Sequence, residues 1–281
     1  MIKVTDLFIY PIKSCQGIQV EEAEVTPKGF TWDREFMLID KNGKFLTQRQ
    51  YPNLATIQVK VTDEMIFLTN KNLENFSFQP TLTGKEIVVE IWRDNTKAID
   101  QGDEVAEWFQ TALELKSEQK CRLVRQSSKD VRPIDPQYSL TENQPVSFAD
   151  GYPFLLTAEA SLRELNERIK ENSVEENETI PMNRFRPNIV VSTSEPFMEG
   201  KWKLIQIGTV KFALVKPCSR CIVTTTNQIT GLRNKGGEPL KTLSTFRQFG
   251  KQGIMFGENM ISLNAGVVRM GDEIQIIQKN S

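Results

Sequence analysis

The sequence contains no histidine among its 281 residues. This absence excludes Ser-His-Asp and Cys-His catalysis, zinc sites that include histidine, and haem bound through histidine. If the protein is an enzyme, its chemistry must rest on the remaining polar and charged side chains or on a cofactor. The side chains that remain available are those of Cys, Lys, Arg, Asp, Glu, Ser, Thr and Tyr.

Cysteine is also scarce, with four residues at positions 15, 121, 218 and 221. Four cysteines are too few for a disulfide scaffold in a chain of this length, so we expect a reducing, cytoplasmic location. A tetrahedral zinc site is not expected, because Cys15 and Cys121 do not form a second close pair and histidine is absent.

Neither an excess of charge nor a long apolar run is present. The chain has 35 basic and 36 acidic residues, which gives a net charge of −1 and does not favour binding to nucleic acid. No apolar run approaches the roughly 20 residues that a membrane span needs, and we therefore expect no membrane span. The N-terminus lacks the apolar segment of a signal peptide.

Short strands dominate the first third of the chain. The Asn42-Gly43 pair between apolar segments indicates a hairpin turn. Residues 55–61 and 65–68 predict a second hairpin, and residues 86–92 predict a further strand. Because no helical pattern separates these strands, they indicate a barrel or a sandwich.

Helical periodicity first appears at residues 103–115. A second helix is predicted to begin with Thr157 as its N-cap, and residues 171–179 are predicted to form a polar loop. Residues 202–215 indicate a hairpin that turns near Gly208. Residues 136–151 are interpreted as a boundary or a long crossing connection, and the predicted domains are 1–125 and 126–281.

The segment KPCSRCIVTT at residues 216–225 carries two cysteines, Cys218 and Cys221, beside Arg220. We predict strands on both sides of it, over 210–215 and 222–226. A neighbouring guanidinium favours the thiolate, which is the form of cysteine that attacks electrophiles or binds metals. A pair of buried structural thiols and a redox-active pair remain open at this point.

Basic and polar side chains stand where several predicted strands begin or end. They are Lys13 with Ser14, Arg34, Arg49, and Arg186 with Asn188. Each alone is an ordinary surface charge or ion pair. Together with Cys221 they would suit an anionic ligand, although sequence spacing leaves open whether they converge.

Eight segments along the chain carry a common signature, namely YPIKSCQGI (10–18), WDR (32–34), TQRQ (47–50), FRPN (185–188), KPCSRCIVTT (216–225), EPLKTL (238–243), FGEN (256–259) and VVRMGD (267–272). These segments resemble the signatures of MOSC-domain proteins with an N-terminal β-barrel domain, and in particular the amidoxime-reducing components of mitochondria and their bacterial counterparts. They cover nearly the whole chain and keep the order of the family.

The resemblance implies a β-rich α+β fold, in which an N-terminal β-barrel-like domain precedes a MOSC β-barrel domain with a few helices. It also implies a molybdenum–molybdopterin cofactor (Moco) with Cys221 as the protein ligand of the metal. By the same resemblance, the cofactor-binding residues are Lys13, Ser14, Arg34, Arg186, Asn188, Ser219, Arg220 and Asn259. Gly151-Tyr152 and Asn259 stand where animal relatives carry a Thr-Ser pair and a tyrosine.

The implied activity is molybdenum-dependent reduction of N-hydroxylated compounds such as hydroxylamines and amidoximes. We expect electrons from a separate donor, either a ferredoxin-like protein or a cytochrome-b5-like protein with a flavin reductase, and we expect a monomer. An alternative is a carrier of sulfur or of the cofactor that uses Cys221 as the persulfide or transfer site. A metal-free binding module is a third possibility, and pyridoxal phosphate binding is associated with the family at large.

Overall fold

The computed structural model describes residues 1–130, 132–172 and 179–280. Within these residues the chain is rich in strands and has three α-helices. The strands are β1 (Val4–Ile9), β2 (Ile18–Val20), β3 (Glu22–Thr26), β4 (Gly29–Phe30), β5 (Phe36–Asp40), β6 (Gln58–Val61), β7 (Ile66–Thr69), β8 (Phe76–Phe78), β9 (Glu86–Ile91), β10 (Asp94–Asp100), β11 (Cys121–Gln126), β12 (Phe154–Ala158), β13 (Ile189–Val191), β14 (Trp202–Ile207), β15 (Val210–Ser219), β16 (Met255–Ser262), β17 (Gly266–Arg269) and β18 (Ile274–Lys279). The helices are α1 (Asp103–Ala112), α2 (Glu159–Asn172) and α3 (Leu240–Phe246). The predicted β-rich fold class is confirmed.

The largest sheet joins the beginning of the chain to its C-terminal half. Its strand order is β18-β14-β15-β16-β12-β13-β1-β2, and only the β12–β13 pair within it is parallel. Phe30 packs edge-on against Phe154, and Phe154 packs against Phe212 in the same way. The first thirty residues thus share a core with strands that lie far along the chain, while the predicted boundary after residue 125 stays a prediction.

The second region contains a four-stranded sheet, β5-β11-β10-β9, and a three-stranded sheet, β6-β7-β8. Helix α1 buries Val105 and Phe109 in a core with Leu123 of β11. The hairpin predicted for residues 55–61 and 65–68 is confirmed, since β6 and β7 pair antiparallel. Gly43 lies in the predicted turn at φ 81°, and a Cβ there would lie 2.9 Å from the carbonyl oxygen of Val88. Only glycine suits both conditions.

Two local predictions are wrong, and a third lies largely outside the described residues. Residues Ile222–Thr225 form a 3₁₀ turn instead of a strand. The hydroxyls of Thr224 and Thr225 donate to carbonyl oxygens three residues earlier, and such local bonds compete with strand pairing. Thr157 is buried within β12, so it does not cap α2, which begins at Glu159. Of the predicted polar loop 171–179, residues 173–178 are not described.

Across the ranges 1–130, 132–172 and 179–280, no helix has the length and apolar character that crossing a membrane requires.

Candidate functional site

All nine residues predicted for the site line one cavity of about 300 Å³. The N-terminal part of the chain contributes Lys13, Ser14 and Arg34, and the C-terminal part contributes Arg186, Asn188, Ser219, Arg220, Cys221 and Asn259. This volume is at the lower end of the range for small-molecule sites. Side chains that are up to 246 positions apart in sequence therefore surround one space. Their individual roles stay predictions.

The two cysteines of the KPCSRC segment each contact a different guanidinium. Arg49 Nη2 lies 3.2 Å from Cys221 Sγ, whereas Arg220 Nη1 lies 2.9 Å from Cys218 Sγ. We call these four residues the thiol cluster. The sequence-based pairing of Arg220 with Cys221 is thus corrected. In an extended strand, residues two apart face the same side, which brings Arg220 to Cys218 rather than to its neighbour.

Local backbone bonding fixes the position of Cys221. Its carbonyl oxygen accepts hydrogen bonds from the backbone N–H of Thr224, at 3.0 Å, and from the Thr224 hydroxyl, at 2.9 Å. Cys221 itself is extended and caps the 3₁₀ turn. Burial raises the pKa of the Cys218 thiol, although Arg220 opposes that effect. Cys218 therefore favours the neutral thiol at neutral pH.

A second group, which we call the arginine cluster, consists of Tyr10, Asp33, Arg34, Arg186 and Asn188. The guanidinium carbons of Arg34 and Arg186 lie 4.1 and 4.3 Å from the centroid of the Tyr10 ring. The Tyr10 hydroxyl donates to the carbonyl oxygen of Pro187 at 3.0 Å. Burial raises the pKa of Tyr10 to about 12 and lowers the pKa of Arg186 to about 10. At neutral pH the phenol is therefore neutral and Arg186 is charged.

Asn188 holds the arginine cluster together. Its Oδ1 accepts from Arg34 Nη1 at 3.0 Å and from the backbone N–H of Leu155 at 3.2 Å. Its Nδ2 donates to the carbonyl oxygen of Phe8 at 3.2 Å. Arg34 Nη1 also donates to Asp33 Oδ2 at 2.5 Å, and Asp33 is only 1% exposed. Asn188 thus links β1, the start of β12 and a cavity cation, which makes it a positioning residue for Arg34.

Sequence reasoning missed Asp150, the single carboxylate among the described residues of the cavity wall. Lys13 Nζ donates to Asp150 Oδ1 at 2.5 Å, and Arg49 Nη2 lies 3.9 Å from its other oxygen. Burial lowers the pKa of Lys13 to about 8. Burial alone would raise the pKa of Asp150, but Lys13, Arg49 and Arg132 hold it below its ordinary value. The signal was available, because Asp150 directly precedes the noted Gly151-Tyr152 pair.

The remaining predicted residues line the cavity through less constrained contacts. Ser14 has a left-handed backbone, with φ 71°, and its carbonyl oxygen accepts from Gln48 Nε2 at 2.7 Å. Asn259 Nδ2 lies 3.4 Å from the carbonyl oxygen of Pro217. A Cβ on Gly253 would lie 2.7 Å from Ser219 Oγ, so this glycine leaves the space that the serine hydroxyl occupies.

Comparisons with known proteins assign both parts of the chain to one family. The description "MOSC N-terminal beta barrel domain" matches residues 1–116, and the description "MOSC domain" matches residues 143–275. Mitochondrial amidoxime-reducing component 1 of Mus musculus is 31% identical over 295 residues, which cover 98% of this chain and 82% of that protein. The chain belongs to the MOSC family.

Further relatives of this MOSC protein carry two kinds of name. Mitochondrial amidoxime-reducing component 1 of Homo sapiens is 32% identical over 292 residues, which cover 98% of this chain and 82% of that protein. Molybdenum cofactor sulfurase 1 of Aedes aegypti is 33% identical over 267 residues, which cover 91% of this chain and 33% of that protein. The same family therefore includes proteins named as reductase components and proteins named as sulfurases.

The donor set in this MOSC protein fits an anionic group that contains a soft metal. Among the residues that the structure describes, the cavity lining contains one carboxylate and six cations, namely Lys13, Arg34, Arg49, Arg186, Lys216 and Arg220. In the part of the chain that the structure describes, no three Cys, Asp or Glu side chains converge as a metal cage. Such a wall repels a bare metal cation but attracts a metal carried by its own anionic ligand, with a thiolate to complete the coordination.

Proposed function

We propose that this MOSC protein is a molybdenum-cofactor-dependent reductase of N-hydroxylated compounds, in which Cys221 binds the molybdenum. The observation that carries the proposal is the convergence of the nine predicted residues on one cationic cavity, with Arg49 in contact with the Cys221 sulfur. The similarity to proteins named amidoxime-reducing components supports the same activity.

The residues of the chain would hold the cofactor by charge and orientation. Lys13, Arg34 and Arg186 supply the cations, and Ser14, Ser219 and Asn259 the polar groups, that suit a pterin with a terminal phosphate. Arg220, which donates to the Phe185 carbonyl oxygen at 2.6 Å, is held rigidly at the cavity wall. When bound, a molybdenum cofactor supplies two-electron redox chemistry at the metal.

Arg49 would orient the metal ligand. Its Nη2 reaches Cys221 Sγ at 3.2 Å, and its guanidinium carbon lies 4.5 Å from the centroid of the Trp92 ring. Residues that hold a metal ligand in place commonly affect metal affinity or activity by about 10–100-fold. Arg49 is therefore the residue through which the N-terminal part of the chain acts on Cys221.

The net reaction consumes one N-hydroxylated molecule, two electrons and two protons, and yields the amine and water. The N–O bond breaks, the nitrogen takes up one proton, and the hydroxyl group takes up the other and leaves as water. We propose a separate redox protein, either ferredoxin-like or cytochrome-b5-like with a flavin reductase, as the source of the electrons. We assign the protons to solvent. Monomeric state, cytoplasmic location and pyridoxal phosphate binding stay predictions.

The test is reduction of benzamidoxime to benzamidine by protein made in a host that synthesises the cofactor, with dithionite-reduced methyl viologen as the artificial donor. Wild-type protein is expected to form benzamidine, and Cys221→Ser protein is expected to lose at least about 100-fold of that rate, since it lacks the metal ligand. Equal rates for both proteins would contradict the proposal.

A carrier of sulfur or of the cofactor is the second candidate, and the similarity to a protein named molybdenum cofactor sulfurase favours it. In that case Cys221 would hold a persulfide, which cyanide removes as thiocyanate. Thiocyanate released from wild-type protein but not from Cys221→Ser protein, without benzamidine formation, would support the carrier and reject the reductase.

A further inference from the structure

Within the described ranges, two cations on the cavity wall, Arg186 and Lys216, have no acidic or thiol partner. Lys13 and Arg49 contact Asp150, Arg34 contacts Asp33, and Arg220 contacts Cys218. Arg186 contacts the Tyr10 ring and donates to Gln228. Lys216 also lines the cavity, and within the described ranges no carboxylate pairs with its ammonium. Its charge is therefore available to a ligand.

Two tyrosine rings lie beside this ammonium. Lys216 Nζ is 4.9 Å from the centroid of the Tyr138 ring, and the Tyr138 and Tyr152 rings meet edge to face at 6.0 Å. Tyr152 lines the cavity. Burial raises the pKa of Tyr152 above its ordinary value, so its phenol stays neutral at pH 7 and remains able to donate a hydrogen bond. Together, Lys216, Tyr138 and Tyr152 thus offer a ligand one cation, one phenol hydroxyl and the faces of aromatic rings.

A backbone irregularity lies at the same place. The pairing of β15 with β16 shifts register between Leu214 and Lys216, where Lys216 comes opposite Asn259. Bulges of this kind change the direction in which a side chain points and are frequent next to functional sites. Without the shift, strict alternation along β15 would place Lys216 on the same face as Leu214, whose side chain is in the main core.

We propose that Lys216, Tyr138 and Tyr152 form a subsite for a negatively charged substituent of the substrate, such as a carboxylate. This inference rests on the proposed function and narrows it, because the preferred substrates are then N-hydroxylated compounds with an acidic group. The ammonium pairs with the acid, the Tyr152 phenol donates a second hydrogen bond, and the rings pack against the flat part of the molecule.

The kinetic test compares benzamidoxime with 4-carboxybenzamidoxime in wild-type and Lys216→Gln proteins. Lys211→Gln is the matched control, because Lys211 is an exposed lysine on the same strand. The Lys216 variant is expected to raise KM for the carboxylated compound about tenfold, as loss of a charge-assisted hydrogen bond requires, and to leave the neutral compound within about twofold. An equal change for both compounds would overturn the subsite, as would no change for either.

A binding measurement separates this inference from the proposed activity. Titration calorimetry with benzamide and 4-carboxybenzamide, neither of which has an N–O bond, is expected to show tighter binding of the carboxylated compound to wild-type protein and loss of that preference in the Lys216 variant. That result without reductase activity would leave the subsite standing and reject only the reductase. No preference in wild-type protein would overturn the subsite.

A measurement of molybdenum content tests the competing role of Lys216, which is to hold the cofactor rather than the substrate. The Lys216→Gln protein is expected to retain the molybdenum content of wild-type protein, because the proposed function assigns the cofactor to Lys13, Arg34 and Arg186. A large loss of molybdenum from this variant would show that Lys216 holds the cofactor, and it would overturn the subsite.

Discussion

The arginine cluster and the thiol cluster lie on the wall of the same cavity but are constructed differently. In the arginine cluster, Arg34 is fixed by Asp33, by Asn188 and by the carbonyl oxygen of Arg186. In the thiol cluster, each sulfur meets one guanidinium, and both cysteines are only partly buried. The difference teaches that Arg34 is fixed by three partners, whereas each sulfur has one guanidinium contact and stays partly exposed, as the proposed role of Cys221 as a metal ligand requires.

The largest effect is expected from Arg34→Ala, which tests the rigidity of the arginine cluster. The change leaves the Asp33 carboxylate, 1% exposed, without its cation. It should lower the free energy of unfolding by about 3–5 kcal/mol in denaturant titrations. The control is Arg269→Ala, because the Arg269–Glu22 pair is 58% and 62% exposed, and the loss there should be below about 1 kcal/mol. Similar losses for both variants would remove the contrast between the clusters.

Arg49→Met tests the thiol cluster, with Arg220→Met for comparison. Because Arg49 contacts Cys221, its replacement by methionine should lower reductase activity by about 10–100-fold with little change in Tm. Arg220 also donates to the Phe185 carbonyl oxygen, so its removal should lower Tm as well. The measurements are kcat/KM and thermal unfolding of both variants. If Arg49→Met keeps full activity, then the assignment of Arg49 as the positioning residue for Cys221 is wrong.

The pair of Lys13 and Asp150 gives a pH dependence. Burial lowers the pKa of Lys13 from 10.5 to about 8, so between these values the unfolded chain binds a proton that the folded chain does not. The stability of wild-type protein relative to Lys13→Met should therefore rise as pH increases from 8 to 10.5 in the absence of cofactor. Lys97→Met, at an exposed pair with Glu86, provides the control. A flat difference over this range would show that Lys13 titrates normally.

The smallest effect is expected from Cys218→Ser. Cys218 contacts Arg220 but lies outside the proposed coordination of the metal, so activity and molybdenum content should stay within about twofold of wild type. The measurements are benzamidine formation and elemental analysis. A loss as large as that of Cys221→Ser would mean that the two thiols act together.

The sequence motifs predicted which residues line one cavity, but they did not predict which side chains contact each other there. The motifs that carry Lys13, Arg34, Arg186 and Cys221 were sufficient to predict one site, and the hairpins followed from alternation and turn residues. The contact of Arg49 with Cys221 could not be predicted, because it joins side chains 172 positions apart.

The errors have local physical causes. Adjacency in sequence suggested that Arg220 stands beside Cys221, whereas alternation along β15 directs it to Cys218. The β-branched residues after Cys221 indicated a strand, yet threonine hydroxyls that bond to nearby carbonyl oxygens stabilise a 3₁₀ turn.

The central claim is that the cavity holds a molybdenum cofactor through Cys221. The most direct measurement is elemental analysis of wild-type and Cys221→Ala proteins from a host that makes the cofactor. Near-stoichiometric molybdenum in wild-type protein, with loss or altered coordination in the variant, is the result that this account predicts. Absence of molybdenum from both proteins, with cofactor supply verified by a control enzyme, would contradict it.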